Sequence, residues 1–343
     1  MHIHIAGGIG EHGRNSLYIQ GDTLSFLVDC GLMTGDADPN PRLSQEQIRS
    51  ARYLLLTHSH QDHSGAYPWL KENGFAGTVI ASAATLEQLR FPVDHAVTIQ
   101  PGQELKLPQD LSIRCGRSGH AIGSLWFEVD LEDKRLLFSG DYTEDTLLYA
   151  CDKLRGRWAN LAFLDSARDS SLGSAEVLQA RLLKLVSDTV LSGRPVILPV
   201  PRHGRGLELM QLLSGRGHIR LDEASQKEKD SIPRYPEWFK TQLKESFSLG
   251  GSIYFIADTQ LKQPGNRVLC ERLLHEDAQI IFTGHVQEGS FAMRLLKMGQ
   301  ATVIPYPTHA SDRTVDLLGG VNDFEQVVRT HTARHQSPGD IRL

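Results

Sequence analysis

The segment LLTHSHQDHSG at residues 55–65 carries the most specific chemical signal of this chain. It follows a predicted strand, and His58 and His60 are two positions apart in extended backbone, so both side chains project to one side. Asp62 and His63 begin a predicted helix and can turn toward a second cation. Imidazole and carboxylate ligands suit Zn²⁺, with Mn²⁺ or Fe²⁺ as alternatives. The segment predicts a metal site, and the alternative interpretation is a polar surface loop that binds no metal.

Further metal ligands are available at the ends of other predicted strands. His120 comes shortly before the strand 125–129, and Asp141 and Asp29 each directly follow a strand. Any one of these residues alone is typical of a turn or a cap. Together with the histidines of residues 58–63, they indicate a site for two cations at one edge of a sheet.

Composition bounds the class of protein. The chain has 343 residues, of which 40% are hydrophobic and 22% charged, which is typical of a globular protein with one large or two medium domains. The formal net charge of -5 excludes a polycation, so any contact with nucleic acid must be local. No apolar run approaches the roughly 18 residues of a membrane helix, and no secretory signal is visible. We expect a cytoplasmic protein without a membrane partner.

The pattern of predicted elements changes near residue 171. Residues 1–170 read as short strands that mostly end in Asp, Gly, Ser or His. From residue 171 onward, helical spacing alternates with short buried strands, which predicts a second α/β unit. The charged stretch 222–230 lacks periodicity and precedes Pro233 and Pro236, so we predict a surface loop there.

The motifs described so far resemble the metallo-β-lactamase superfamily, and more closely its β-CASP nuclease branch and the ribonuclease J-like proteins within it. The resemblance rests on residues 7–15, 28–33 and 58–70 and covers nearly the whole chain. The glycines of residues 7–13 are not a dinucleotide fingerprint, because a strand and not a helix follows them. The implied fold is α/β, a four-layer αββα metallo-β-lactamase sandwich. Its domain would comprise residues 1–170 and 300–343, interrupted by an inserted α/β β-CASP domain at 171–299.

The resemblance also implies a ligand set for two zinc ions. The first ion would be held by His58, His60 and His120, the second by Asp62, His63 and His331, and Asp141 would bridge the two. Asp29 is expected to bond a ligand imidazole instead of binding metal itself. The third β-CASP motif usually reads His-Gly-Glu, whereas Thr332 and Ala333 follow His331 here, so His335 is the substitute candidate.

The chemistry implied by the resemblance is phosphodiester hydrolysis. Two cations would activate a water molecule and neutralise charge on the phosphate. Asp62 belongs to this machinery as a ligand, while His309 would protonate the leaving oxygen and Asp165 would orient His309. We therefore expect a zinc-dependent nuclease for single-stranded RNA, with DNA as the alternative substrate and Mn²⁺ as the alternative metal. Exonuclease and endonuclease action stay open.

Substrate phosphates are expected to meet local positive charge. Arg202 and Arg205 flank the start of a predicted helix, Ser290 lies at another, and Arg168 follows Asp165. Solvated arginines and a simple helix cap are the alternatives for these residues. A small-molecule metallohydrolase on the same core, such as a thioesterase, lactonase or cyclic-nucleotide phosphodiesterase, is the competing function, and a metal-poor scaffold is a third. The insertion, Asp165 and His309 favour the nuclease. Homo-oligomerisation is left open.

Overall fold

The computed structural model describes residues 1–244 and 251–343, which divide into two compact units. The first unit comprises Met1–Glu144, Cys151–Ser170 and His309–Leu343, and the second comprises Asp145–Ala150 and Ser171–Thr308. The first unit is therefore assembled from three separate segments of the chain. The domain assignment made from the sequence, with its boundary at residues 299 and 300, stays a prediction.

Strands and helices are numbered along the chain. Across the described residues, the strands are β1 (His2–Gly7), β2 (Ser16–Gln20), β3 (Ser25–Val28), β4 (Ala51–Leu55), β5 (Thr78–Ala81), β6 (Ala96–Thr98), β7 (Glu104–Leu107), β8 (Leu111–Arg117), β9 (Leu125–Leu131), β10 (Lys134–Phe138), β11 (Trp158–Ala159), β12 (Leu161–Asp165), β13 (Val196–Pro199), β14 (His218–Leu221), β15 (Ser252–Ile256), β16 (Gln279–Phe282), β17 (Ala301–Val303), β18 (Asp323–Phe324), β19 (Val327–Thr330) and β20 (Ile341–Arg342). The α-helices are α1 (Gln45–Ser50), α2 (Gln61–Ser64), α3 (Tyr67–Glu72), α4 (Ala83–Gln88), α5 (Ala175–Leu191), α6 (Arg205–Leu212), α7 (Glu223–Ser231), α8 (Pro264–Leu274), α9 (Phe291–Lys297) and α10 (Asp312–Val321).

The first unit is built on two large sheets, and β11 and β18 pair as a small two-stranded sheet. The strand orders of the large sheets are β20-β1-β2-β3-β4-β5-β6 and β19-β12-β10-β9-β8-β7. Phe26 of β3 and Phe138 of β10 meet edge to face with ring centroids 6.4 Å apart, so the inner faces of the two sheets share a core. Strands that end near one another along these sheets place their following loops at a common edge.

Helices cover the outer faces of both sheets. Leu70 of α3 and Leu54 of β4 lie in one buried cluster. On the other side, Leu318 of α10 and Leu137 of β10 lie in another. Helix, sheet, sheet and helix layers follow one another, and the predicted α/β sandwich fold class is confirmed.

The second unit is built on a parallel sheet of order β14-β15-β13-β16-β17. Helices α8 and α9 pack on it through Cys270 and Leu295, which lie with Ile280 in one buried cluster. The strands that follow β13 in the chain, β14 and β15, lie on one side of it in the sheet, and the later strands β16 and β17 lie on the other. The strand order therefore reverses between the neighbouring strands β13 and β16. Loops at the carboxyl ends of such strands are the usual place for ligand binding in open α/β sheets.

The prediction of a surface loop at residues 222–230 is wrong, because helix α7 spans most of these residues. The Asp222 side chain accepts from the N–H of Ser225 at 2.8 Å, which caps the start of the helix. Lys227 pairs with Glu223 one turn away at 2.6 Å. The cap and this pair stabilise a largely exposed helix, which has too few buried residues to show an apolar period. Within the described ranges, no helix is long and apolar enough to cross a membrane.

Candidate metal centre

Loop geometry at the end of β4 presents the first cluster of ligands. The chain leaves β4 in extended form, and His60 stands at the N-cap of the short helix α2 with φ -60° and ψ 149°. Asp62 and His63 then fall in the first turn of α2, as the sequence predicts. The strand end and the helix start thus place four polar side chains within six positions of one another.

The first group of ligand atoms comprises His58, His60, His120 and Asp141, with all four atoms within 4.8 Å of one another. His58 Nε2 and His120 Nε2 each lie 3.4 Å from Asp141 Oδ2. His120 Nε2 also lies 3.1 Å from His60 Nδ1. Three imidazoles and one carboxylate converge as the ligands of a tetrahedral Zn²⁺ site do.

The second group comprises Asp62, His63 and His331. His331 Nε2 lies 3.1 Å from Asp62 Oδ2, and His63 Nε2 lies 3.8 Å from the same oxygen. His63 Nε2 and His331 Nδ1 both lie 3.0 Å from Asp141 Oδ1. Asp141 Oδ2 therefore faces the first group, and Asp141 Oδ1 faces the second.

Asp165 and His309 adjoin these groups. Ligand atoms of Asp141, Asp165, His309 and His331 lie within 4.8 Å of one another. His309 Nδ1 is 3.1 Å from Asp165 Oδ2, and that carboxylate also accepts from the N–H of Tyr142 at 2.9 Å. The backbone bond holds the Asp165 carboxylate in place, and the carboxylate in turn orients the His309 ring.

Two side chains contact the two ring nitrogens of His63. Asp29 Oδ2 lies 2.7 Å from His63 Nδ1, while Asp29 Oδ1 accepts from the N–H of Thr57 at 2.8 Å. Asn15 Nδ2 donates to the carbonyl oxygen of Asp62 at 3.1 Å and lies 3.1 Å from His63 Nε2. Asn15 is not among the residues predicted from the sequence, and its signal is its place at the end of the glycine-rich segment 7–15.

The ionisable groups of this cluster shift one another's pKa values. Burial lowers the pKa of His120 well below its usual value, which keeps its imidazole neutral and able to bind a metal. Burial also favours neutral His331, but the Asp141 carboxylate raises the His331 pKa well above its usual value. Burial would raise the pKa of Asp141, whereas His331 and His63 hold it well below its usual range. The centre thus concentrates opposite charges that a cation would reorganise.

Unpaired buried atoms show that the residues fit a cation. His58 Nε2, Asp141 Oδ1 and His331 Nδ1 are buried, and although Asp141 Oδ1 lies 3.0 Å from His331 Nδ1, none of the three makes a well-directed hydrogen bond within the described part of the chain. Buried polar atoms without partners are costly and uncommon in native proteins. These three atoms belong to the clustered ligand groups, and a bound cation would supply the partners that they lack.

The arginines and the serine predicted to contact phosphate belong to the second unit. Arg202 is exposed in the loop after β13. Arg205 Nη2 lies 3.4 Å from Thr308 Oγ1, and the guanidinium packs on Gly284, where a Cβ would stand 2.2 Å from Nη1. Ser290 accepts from the N–H of Met293 at 3.0 Å and so caps α9.

Two other candidates lie in the first unit. Arg168 Nε donates to the carbonyl oxygen of His309 at 3.1 Å, next to the cluster. His335, the substitute for His331, has its Nε2 atom 3.0 Å from Asp312 Oδ1 instead. The structure therefore groups His331, and not His335, with the metal-ligating side chains.

Fold and site together define a metal-binding protein of the α/β sandwich class. The chain belongs to the metallo-β-lactamase superfamily, whose profile matches residues 9–191. Members of this superfamily depend on metal ions, in keeping with the His and Asp cluster.

Curated relatives extend the match beyond that segment. The transcription termination factor FttA of Methanothermobacter thermautotrophicus is 24% identical over 347 aligned residues, covering 85% of this chain and 53% of FttA. An RNase J-like protein of Methanocaldococcus jannaschii is 22% identical, with 61% of this chain and 53% of the relative covered. The chain thus spans about half the length of these relatives. The predicted resemblance to the β-CASP branch is confirmed.

Comparison with solved structures supports the fold alone. A protein of unknown function from Enterococcus faecalis V583 superposes with a TM-score of 0.61 at 11% identity. The superposition covers 100% of this chain and 99% of the other chain.

Proposed function

We propose that this protein is a zinc-dependent nuclease that hydrolyses phosphodiester bonds of single-stranded RNA. The observation that carries the proposal is the position of Asp141, with one carboxylate oxygen facing each of two groups of buried imidazoles. This arrangement suits a pair of cations sharing one carboxylate. The RNase J-like relative and the transcription termination factor support a nucleic acid as the substrate.

The proposed ligands divide between two ions. His58, His60 and His120 would hold the first, Asp62, His63 and His331 the second, and Asp141 would contact both. Zn²⁺ fits the predominance of imidazole, and Mn²⁺ is the alternative. When bound, such a pair supplies the Lewis acidity that makes water nucleophilic near neutral pH and neutralises phosphate charge.

His309 is the proposed proton donor to the leaving oxygen. Its Nδ1 is engaged by Asp165 Oδ2 at 3.1 Å, which leaves Nε2 to carry the proton toward the substrate. Asp165 supports the protonated ring, as carboxylates do for catalytic imidazoles. Arg168 holds the His309 backbone through its carbonyl oxygen.

Arg202, Arg205 and Ser290 are proposed to contact substrate phosphates in the second unit. The backbone N–H of Gly204, at the start of α6, already donates to Glu228 Oε1 at 2.6 Å. Phosphate binding at this loop would therefore use the guanidinium groups of the two arginines more than the helix start. Local charge of this kind fits a chain whose net charge is -5.

The test is a time course of the metal-loaded protein on one RNA labelled at either end. Versions of the RNA with a 5′ triphosphate, monophosphate or hydroxyl separate exonuclease from endonuclease action and show any preference for the 5′ end. We expect single-stranded RNA to be degraded by the wild type. His58→Ala and Asp62→Ala should lose bound metal and at least about 100-fold in rate.

His95→Ala is the matched control, because His95 is an exposed histidine of the first unit and should be replaceable without loss. A metal-replete protein that leaves every RNA intact contradicts the proposal. Cleavage of DNA alone would identify a DNA nuclease, and hydrolysis of a thioester, a lactone or a cyclic nucleotide alone would identify a small-molecule hydrolase. The cytoplasmic location and homo-oligomerisation stay predictions, which cell fractionation and light scattering would test.

A further inference from the structure

Asp165, His309 and His331 come from three distant segments of the chain that meet at the metal centre. Shortly after each of them stands a residue of one small cluster. Asp165 is followed directly by Ser166, Asp312 comes three residues after His309, and Arg334 comes three residues after His331. We call Ser166, Asp312 and Arg334 the brace. All three lie in the first unit.

The members of the brace bond to one another. Ser166 Oγ donates to Asp312 Oδ1 at 2.5 Å, and Arg334 Nη2 lies 3.3 Å from Asp312 Oδ2. Arg334 also donates to the carbonyl oxygens of Ser166, Ala167 at 3.0 Å and Arg168 at 3.2 Å. The Arg334 guanidinium therefore donates to several carbonyl oxygens just after Asp165 and pairs with Asp312 at the start of α10.

The backbone of His331 needs such support. His331 has φ 56°, in the left-handed region that is unfavourable for a residue with a Cβ. On its N-terminal side, the carbonyl of Thr330 accepts from the N–H of Ser166 at 3.1 Å. On its C-terminal side, Thr332 pairs with the backbone of Gly8 and Gly10, and Arg334 further on ties the chain to the loop that follows Asp165. His331 is thus held between two attachments to residues 166–168.

We propose that the brace positions His331 for the second metal ion and that Arg334 is its principal positioning residue. This inference rests on the proposed two-metal function. Arg334 does not belong to any of the ligand groups, and its guanidinium joins the backbone carbonyl oxygens of residues 166–168 to the Asp312 carboxylate. A guanidinium presents several N–H donors in a fixed plane, whereas a lysine ammonium is a single point of charge. Lysine at position 334 should therefore rescue only part of the function.

The experiment is a stepwise titration of the full chain, freed of metal, with Co²⁺, followed by visible absorption. The wild type should bind two equivalents, and His58→Ala and His331→Ala identify the bands of the first and second ion. Arg334→Ala should bind the first ion as the wild type does and the second about 10 to 100 times more weakly. Arg334→Lys should lie between Arg334→Ala and the wild type.

Arg329→Ala is the matched control, since Arg329 belongs to β19 just before His331 and pairs with Asp316 of α10. It should leave both affinities unchanged. Asp312→Asn, which preserves shape, replaces Arg334→Ala if that variant does not fold. Equal loss of both affinities, or unchanged binding of the second ion by both Arg334→Ala and Asp312→Asn, overturns the brace while the two-metal proposal stands. A wild type that binds fewer than two ions overturns both.

Discussion

Glu228 is a buried carboxyl group of the second unit, with 4% of its surface exposed. Burial raises its pKa to about 8 from an ordinary value of 4.5, although its Oε1 accepts from the N–H of Gly204. Because the folded protein keeps this proton and the unfolded chain releases it, stability contributed by Glu228 falls as pH rises between these values. The fall is about 1.4 kcal/mol for each pH unit in that range.

Glu228→Gln should remove this pH dependence while keeping an oxygen for Gly204. We expect the variant to melt several degrees above the wild type at pH 8.5 and close to it at pH 4.5, measured by calorimetry across that range. Glu223→Gln on the same helix is the control, because the Glu223 side chain is 83% exposed. A constant difference between Glu228→Gln and the wild type at all pH values would contradict the prediction.

At the scale of elements, one side chain ties α6 to the segment Asp145–Ala150. Glu208 is 2% exposed and accepts from the N–H groups of Leu147 at 2.7 Å, Leu148 at 2.9 Å and Tyr149 at 3.1 Å. Glu208→Ala leaves these donors unpaired, and we expect the free energy of unfolding to fall by about 3 kcal/mol or more. Urea denaturation measures this loss.

Two further variants make the result for Glu208 specific. Glu208→Gln keeps an acceptor and should lose less stability than Glu208→Ala. Glu271→Ala, at an exposed position of α8, should change stability little. If Glu208→Ala behaves like Glu271→Ala, the segment is held by other contacts.

Secondary structure was predictable where burial repeats along the chain. Helix α5 carries buried Leu178, Leu182 and Val186 at helical spacing, and the sequence indicates it clearly. Helix α7 buries only Ser225 and Glu228, so it has no apolar stripe to reveal it in the sequence. The sequence signals for this helix are its N-terminal cap and the charge pairs one turn apart, which are weaker than an apolar stripe.

At the scale of the whole molecule, the metal-ligating candidates extend from His58 to His331 along the chain. Bound ions would therefore connect segments that are distant in sequence, and binding to the folded state alone raises its stability. We expect saturating Zn²⁺ to raise the melting temperature of the wild type by on the order of 5 °C or more, and a chelator to reverse the rise.

Asp141→Ala should lose most of that rise, since Asp141 faces both groups of ligands. Asp133→Asn, at a side chain that is 83% exposed, should keep it. Scanning fluorimetry with and without Zn²⁺ compares the variants. An equal rise in Asp141→Ala and the wild type would show that zinc stabilises the protein through another site.

Much of the site could be read from short patterns. The segment 55–65 places its ligands by strand and helix geometry alone, and polar residues after strands meet at a sheet edge because neighbouring strands end there. These local rules predict a metal site at one edge of a sheet. The superfamily, the sandwich fold and the division of the ligands between two ions follow instead from the resemblance of several motifs along the chain to a known family.

Tertiary structure alone decided how distant segments face one another. Several contacts depend on packing between residues that are distant in the sequence. The two oxygens of Asp141 face different groups, Asp29 and Asn15 contact His63, and Arg334 joins Ser166 to Asp312. No local period encodes such pairs, because each contact is set by where two folded elements meet and which atoms then remain to be paired.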